Sequence, residues 1–169
     1  MTAILILLGA ALFSIFFLLI RTFEKIWAMQ KINQKKTVEY LKAFYPDIRN
    51  EITNLSDRNN FAGIMQTTVD HMKDLLEQTK IQSVIRNVKR MDWIYKRGNS
   101  YVRYLIENIF IRSFESLKRK TNPQQWRFLF QEIPTDFKNI YLEQTRKDHQ
   151  LINRSWSHYS SLPLPFLAT

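Results

Sequence analysis

The sequence contains no cysteine, and only three glycines and five prolines among 169 residues. The lack of cysteine excludes disulfides, thiolate metal sites and cysteine nucleophiles. Three glycines are too few for a glycine-rich phosphate-binding loop. An all-β domain of this length would need many tight turns, which favour Gly and Pro, so their scarcity favours a helical fold.

Charged side chains are absent from residues 1–20, and thirteen of these twenty residues are Leu, Ile or Phe. Twenty helical residues rise about 30 Å, which matches the hydrocarbon thickness of a bilayer. A cleavable signal peptide would need a basic start and a small-residue cleavage site, and a surface helix would need a polar face. A buried core helix would need fewer apolar residues. We therefore expect one transmembrane helix, and its membrane-spanning residues include Ile4, Leu8, Leu12, Phe16 and Leu19.

Positive charge follows the apolar segment, which sets its expected orientation. The juxtamembrane positive residues are Arg21, Lys25, Lys31, Lys35 and Lys36. Because such residues remain on the cytoplasmic side, we expect a single-pass membrane protein whose C-terminal domain is cytoplasmic. If the cell is Gram-negative, the membrane is the inner one. Residues 21–44 are expected to continue from the membrane as a basic helix.

Residues 45–157 show apolar residues at helical spacing and no alternating strand pattern. Gly98 is typical of a helix end, and Asn122 followed by Pro123 is typical of a helix start. The sequence predicts an all-α protein in which the transmembrane helix precedes a bundle or short stack of about five helices. Residues 158–169 lack the helical pattern and are expected to form an extended tail, which either packs on the domain or binds a partner groove.

Two segments resemble an uncharacterised family of small all-helical bacterial proteins that is known only as a domain of unknown function. They are FYPDIRNEI at residues 44–52 and NSYVRYLIENIFIRSFESL at residues 99–117. The resemblance covers about residues 40–145 and implies an all-helical fold without known catalytic residues. Family members have an acidic middle, whereas residues 80–97 of this chain are basic.

No residue pattern predicts an enzyme. The three histidines, His71, His149 and His158, have no second His or Cys at ligand spacing, so we expect no metal and no cofactor. The sequence has no nucleophile-elbow motif. Glu107 and Asn108 lie beside an apolar stripe, where hydrogen bonding explains them better than catalysis does.

Residues 80–120 hold eleven Lys and Arg against three Asp and Glu, a net charge of +8. The surface predicted to contact a partner or lipid comprises Arg86, Lys89, Arg90, Trp93, Lys96 and Arg97. An acidic or helical protein partner, anionic lipid and a merely solvated face all fit this charge, and nucleic acid is not expected. The leading hypothesis is a membrane-anchored, non-enzymatic protein-interaction domain, such as an assembly subunit, a scaffold or an immunity-type inhibitor. The alternative is a membrane-surface module that binds anionic lipid through residues 80–120.

Overall fold

A computed structural model describes the backbone of residues 31–160 and the side chains of residues 31–153. Over this range the fold is all-α, as predicted. The described residues form no strand, and their one β-type contact is an isolated bridge between Ile32 and Gly98. The helices are α1 (Gln34–Phe44), a 3-10 turn (Pro46–Ile48), α2 (Arg49–Asp57), α3 (Phe61–Glu77), α4 (Ile81–Arg97), α5 (Ser100–Leu105), a π segment (Ile106–Ile111), α6 (Phe114–Arg119), α7 (Pro123–Glu132) and α8 (Thr135–Ser160).

Among the described residues, no helix is both long and apolar enough to cross a bilayer. The predicted transmembrane helix over residues 1–20 lies outside the described residues, as do residues 21–30 and the tail residues 161–169. Residues 158–160, which the sequence assigns to an extended tail, belong to α8.

The chain enters the domain through an extended segment that is pinned to the turn between α4 and α5. The Ile32 N–H donates to the Arg97 carbonyl at 2.7 Å, and the Asn99 N–H donates to the Ile32 carbonyl at 2.9 Å. The Asn33 side chain then caps α1 by accepting from the Lys36 N–H. Within the described residues, the helix expected over residues 21–44 therefore begins only at Gln34. The backbone of Ile32 is hydrogen-bonded to the α4–α5 turn and so cannot be part of that helix.

Helix α2 is longer than its sequence suggests. The pattern predicts a helix from Asp47 to about Thr53 and a polar loop over residues 54–60, whereas α2 continues to Asp57. Ile52 is fully buried, Leu55 and Ser56 are half-buried, and Asn54 and Asp57 are exposed. The polar residues therefore form the solvent side of a helix, and composition alone cannot separate such a face from a loop.

Aromatic rings fill the centre of the domain. Phe137 on α8 lies 5.4 Å from Tyr95 and 6.1 Å from Phe110 between ring centroids, and Phe110 lies 5.8 Å from Phe114. Phe110, Phe114 and Phe137 are fully buried. Helix α3 packs against α2, α4 and the π segment, so residues far apart in sequence share one core.

The segment after Gly98 is one predicted helix that the structure divides. The sequence offers Asn99 or Ser100 as its cap. Asn99 caps it in the structure, and α5 passes into the π segment before α6. The wider turn shifts the helical register, and the neighbouring residues Phe110 and Ile111 are both fully buried. The Tyr95 hydroxyl donates to Glu107 at 2.7 Å, and the Asn108 amide donates to the Tyr104 carbonyl at 2.8 Å, so both polar residues serve as hydrogen-bonding groups.

Three tyrosines with raised pKa values make the stability of the fold depend on pH in the alkaline range. Burial raises the pKa of Tyr45 well above its usual range, and burial together with hydrogen bonds to Glu107 and Glu115 raises the pKa values of Tyr95 and Tyr141 to about 12. The unfolded phenols ionise near pH 10, so their stabilising effect is complete below pH 10 and is lost as pH rises towards 12. We expect the melting temperature to fall over this range, with a step in tyrosinate absorbance that coincides with unfolding. A gradual ionisation of all tyrosines before unfolding would contradict these pKa shifts.

Candidate interaction surface

The predicted contact residues of α4 lie on two neighbouring faces of the helix. Arg86, Arg90, Trp93 and Arg97 follow the spacing of one stripe, and Lys89 and Lys96 follow that of the next. The first stripe faces the end of α1, and the second faces α7 and the start of α8. The structure thus places the six residues along one helix but gives them different surroundings.

The first stripe contacts the aromatic residues of α1. The Arg90 guanidinium donates to the Phe44 carbonyl at 2.7 Å and lies 5.3 Å from the centre of the Phe44 ring. Trp93 packs edge-on against Tyr40 with ring centroids 4.9 Å apart, and the Arg97 guanidinium covers the Trp93 ring at 4.4 Å. Because Arg90 satisfies a carbonyl at the end of α1, it fastens α1 to α4.

The second stripe is neutralised by carboxylates. Lys89 pairs with Glu132 at 2.7 Å, and its hydrogen bond lowers the pKa of that carboxyl. Lys96 pairs with Asp92 at 2.8 Å, which raises the pKa of the lysine, and approaches Asp136 to 4.0 Å. Lys89 therefore bridges α4 and α7, whereas the short ion pair of Lys96 lies within α4. Arg86, which is exposed and hydrogen-bonded only to Ser83 among the described residues, is the member of the set most open to a partner.

A groove between α6 and α7 is a feature that the sequence pattern does not reveal. It encloses about 450 Å³ and its wall is mostly apolar. We call it the aromatic groove, and it is lined by Lys118, Thr121, Pro123, Trp126, Arg127, Phe130 and Gln131. The sequence predicts Trp126 and Phe130 as the apolar side of a short helix, and both side chains are only half-buried in the domain.

The floor of the aromatic groove is tied to the core. Trp126 and Phe130 lie 5.6 Å apart, and each lies about 6 Å from the Tyr141 ring of α8. Tyr141 is almost fully buried and contacts Phe114 in the central aromatic cluster. The groove is therefore preformed by packed rings.

Basic side chains border this apolar wall. Lys118 and Arg127 are exposed, and neither joins an ion pair within residues 31–153. Lys138 lies 5.7 Å from the centre of the Phe130 ring. Phe128, whose side chain is 43% exposed, lies two residues from both Trp126 and Phe130 and so points away from the groove floor. The arrangement combines an apolar pocket with a positive rim.

Helix α7 holds the aromatic groove in place through local signals. The Asn122 side chain accepts from the Gln125 N–H at 2.8 Å, and the Gln125 side chain accepts from the Asn122 N–H at 3.1 Å. This reciprocal capping and Pro123 at the first turn start the helix where the sequence predicts it. Buried Leu129 and Ile133 anchor its inner side, which turns Trp126 and Phe130 towards the groove.

A second cavity of about 470 Å³ lies beside α6 and α8 and has mixed charge. Arg112 and Asp148 pair there at 2.7 Å, and His149 lines the cavity near them. His71 instead contacts the Tyr45 ring at 6.0 Å. Across the described part of the chain, no group of three or more His, Asp and Glu could hold a metal ion.

A family model described as a domain of unknown function (DUF7674) matches residues 38–147. The matched span runs from α1 into α8 and includes α4 and every residue of the aromatic groove. No curated protein and no solved structure matches the chain. Because the match covers more than half of the sequence and agrees with the predicted resemblance over residues 40–145, the chain belongs to the DUF7674 family.

Proposed function

We propose that this protein is a membrane-anchored, non-enzymatic helical domain that binds a protein partner at the aromatic groove. Its role would be that of an assembly subunit, a scaffold or an immunity-type inhibitor. The apolar segment 1–20 supplies the proposed anchor, and the positive charge after it supports a cytoplasmic location for the domain. The observation that carries the proposal is an apolar groove with a preformed aromatic floor and a free basic rim.

The chemistry of the groove indicates the kind of partner. Half-buried Trp and Phe rings next to exposed cations are typical of the residues that contribute most to protein–protein binding. The space fits one or two apolar side chains, and the rim formed by Lys118 and Arg127 complements carboxylates beside them. We therefore propose an acidic partner segment that inserts an apolar side chain into the groove.

The charge arrangement on α4 favours a protein partner over lipid binding by the whole basic segment. Lys89 and Lys96 are paired with carboxylates, and Arg90 binds the Phe44 carbonyl. Arg86 lies eleven residues before Arg97, about 16 Å farther along the helix from the point where the chain enters. The cations of residues 80–120 thus do not gather on the side nearest the proposed anchor.

Charge reversal at the groove rim should weaken partner binding strongly. We expect tagged full-length protein, purified from its own cells in mild detergent, to bring down one stoichiometric acidic partner. With the Lys118→Glu/Arg127→Glu variant, the amount of co-purified partner should fall at least about tenfold, because close charge pairs at interfaces contribute about 1.5 kcal/mol or more. Mass spectrometry with quantified peptides would measure the ratio of partner to bait.

Two further variants make the result specific. Arg58→Glu/Lys80→Glu makes the same change in charge at exposed positions outside the groove and should retain the partner. Arg86→Glu/Lys89→Glu tests the exposed end of α4. Loss of the partner in the α4 variant together with its retention in the groove variant would overturn the assignment of the contact to the groove.

A further inference from the structure

Ile32, at the start of the described chain, is bonded to the body of the domain. Ile32 is 5% exposed and is fixed by two backbone hydrogen bonds to the turn at Arg97–Asn99. A Cβ added to Gly98 would lie 2.8 Å from a Val102 methyl and 3.1 Å from the Ile94 carbonyl oxygen, so this close approach depends on glycine. The chain therefore has no free linker after residue 31.

The distance between the proposed anchor and the pinned residue is short. Eleven residues, 21–31, separate the end of the apolar segment from Ile32. They span about 16 Å if helical and at most about 40 Å if fully extended. A pinned exit point within this distance of the bilayer brings the side around Ile32 closer to the membrane, on average, than the opposite side.

The side around Ile32 carries a set of residues that suits a membrane surface. Lys31, Lys35 and Lys36 are exposed at the start of α1. On α5, which begins at the same turn, Tyr101 is 48% exposed and Tyr104 is 58% exposed. Lys35, Tyr101 and Asn99 of the pinned turn line one shallow cavity of about 500 Å³, so α1 and α5 bring Lys35 and Tyr101 to one surface.

The two tyrosines differ from the other aromatic residues nearby. Phe61, which lies 6.1 Å from Tyr101, is buried in the core, whereas the two tyrosine side chains project from α5 at a spacing of three residues. Tyrosine favours the boundary between lipid head groups and acyl chains, because its ring is apolar and its hydroxyl is polar. Lysines at the same level attract anionic head groups.

We propose that Lys31, Lys35, Lys36, Tyr101 and Tyr104 form a membrane-docking face that binds anionic lipid head groups and fixes the orientation of the domain. This inference rests on the proposed membrane anchor. It leaves the aromatic groove, on α6 and α7, to the protein partner. One molecule thereby uses one surface to hold its orientation and a different surface to bind its partner.

Site-specific quenching tests this face in the full-length protein. The chain has no cysteine, so Ser100→Cys on the proposed face and Gln82→Cys at the other end of α4 each accept a single fluorescent label. Residue 82 lies sixteen residues, or about 24 Å along α4, from Gly98. In vesicles of phosphatidylcholine and phosphatidylglycerol with quencher-labelled head groups, we expect strong quenching at residue 100 and little at residue 82.

Substitutions on the face should release it. In the Ser100→Cys background, Lys35→Gln should lower the ratio of docked to free domain about fivefold, as expected for one cation near an anionic surface. Tyr101→Ser/Tyr104→Ser should lower it further. Replacing phosphatidylglycerol with phosphatidylcholine should also lower the ratio of docked to free domain.

The outcomes separate this inference from the proposed function. Protein that is inserted in the vesicles but shows equal quenching at residues 100 and 82, or quenching at residue 82 alone, would overturn the docking face and leave the anchor intact. Protein that alkaline carbonate extracts from the vesicles would overturn the anchor itself. Unchanged quenching in the lysine and tyrosine variants would also count against the docking face.

Discussion

Phe137→Ala should lower the free energy of unfolding by about 3–5 kcal/mol, which is the range for removing a fully buried aromatic ring. The Phe137 ring is fully buried and lies within 6.3 Å of Tyr95, Phe110 and Phe114, so its loss leaves a cavity bounded by rings from three helical segments. Since a domain of this size is stable by about 5–15 kcal/mol, the variant should be close to unfolding at physiological temperature. Urea unfolding of the full chain in mild detergent, followed by circular dichroism, would measure the change.

Phe128→Ala is the matched control for this effect. It removes the same side-chain atoms at a position that is 43% exposed, and we expect a change of less than about 1 kcal/mol. Equal destabilisation by the two substitutions would show that the aromatic cluster around Phe137 is not the centre of the core.

Two arginines in the apolar N-terminal segment should remove the protein from the membrane. The thirteen Leu, Ile and Phe residues favour insertion by about 4–8 kcal/mol, and each arginine near the centre of a transmembrane helix costs about 2.5–3.5 kcal/mol. Leu8→Arg/Leu12→Arg therefore cancels most or all of the gain. We expect the variant in the soluble fraction after alkaline carbonate treatment, and the natural sequence in the pellet.

Leu8→Ala/Leu12→Ala controls for the loss of the two leucines, and it should remain in the pellet because no charge enters the bilayer. The intact mass of the pelleted protein distinguishes an anchor from a cleaved signal peptide, since only an anchor retains residues 1–20. Recovery of the natural sequence in the soluble fraction would refute the proposed anchor.

Local sequence signals predicted much of the fold. These signals act within one or two helical turns, so they can be recognised in the sequence itself. They are Asn122 with Pro123, Asn99 after Gly98, and the apolar stripes of α3 and α4. The sequence pattern predicts a loop at the polar end of α2, and this prediction is wrong because the helix continues to Asp57. The pattern also predicts ordinary helix where the π segment lies, because the wider turn depends on the burial of adjacent Phe110 and Ile111 by other helices.

The surfaces depend on contacts between distant residues and were less predictable. Nothing near Ile32 in sequence indicates that it pairs with Gly98, which lies 66 residues later. The sequence predicts the basic stretch of α4 as one contact surface. In the structure, Lys89 forms an ion pair with Glu132, and Arg90 donates a hydrogen bond to the Phe44 carbonyl. The aromatic groove requires α6, α7 and Tyr141 together, so composition showed its basic residues without showing the apolar space between them.

Crosslinking from the aromatic groove in native membranes tests the central claim most directly. A photoreactive residue at exposed Gln131, which lines the groove, should give one discrete adduct with an acidic protein, and Lys118→Glu/Arg127→Glu should remove that adduct. The same residue at exposed Gln66 on α3 serves as the control and should give none. An adduct within the chain, joining residue 131 to the tail at residues 161–169, or equal adducts from both positions, would contradict the account of the groove as a partner-binding site.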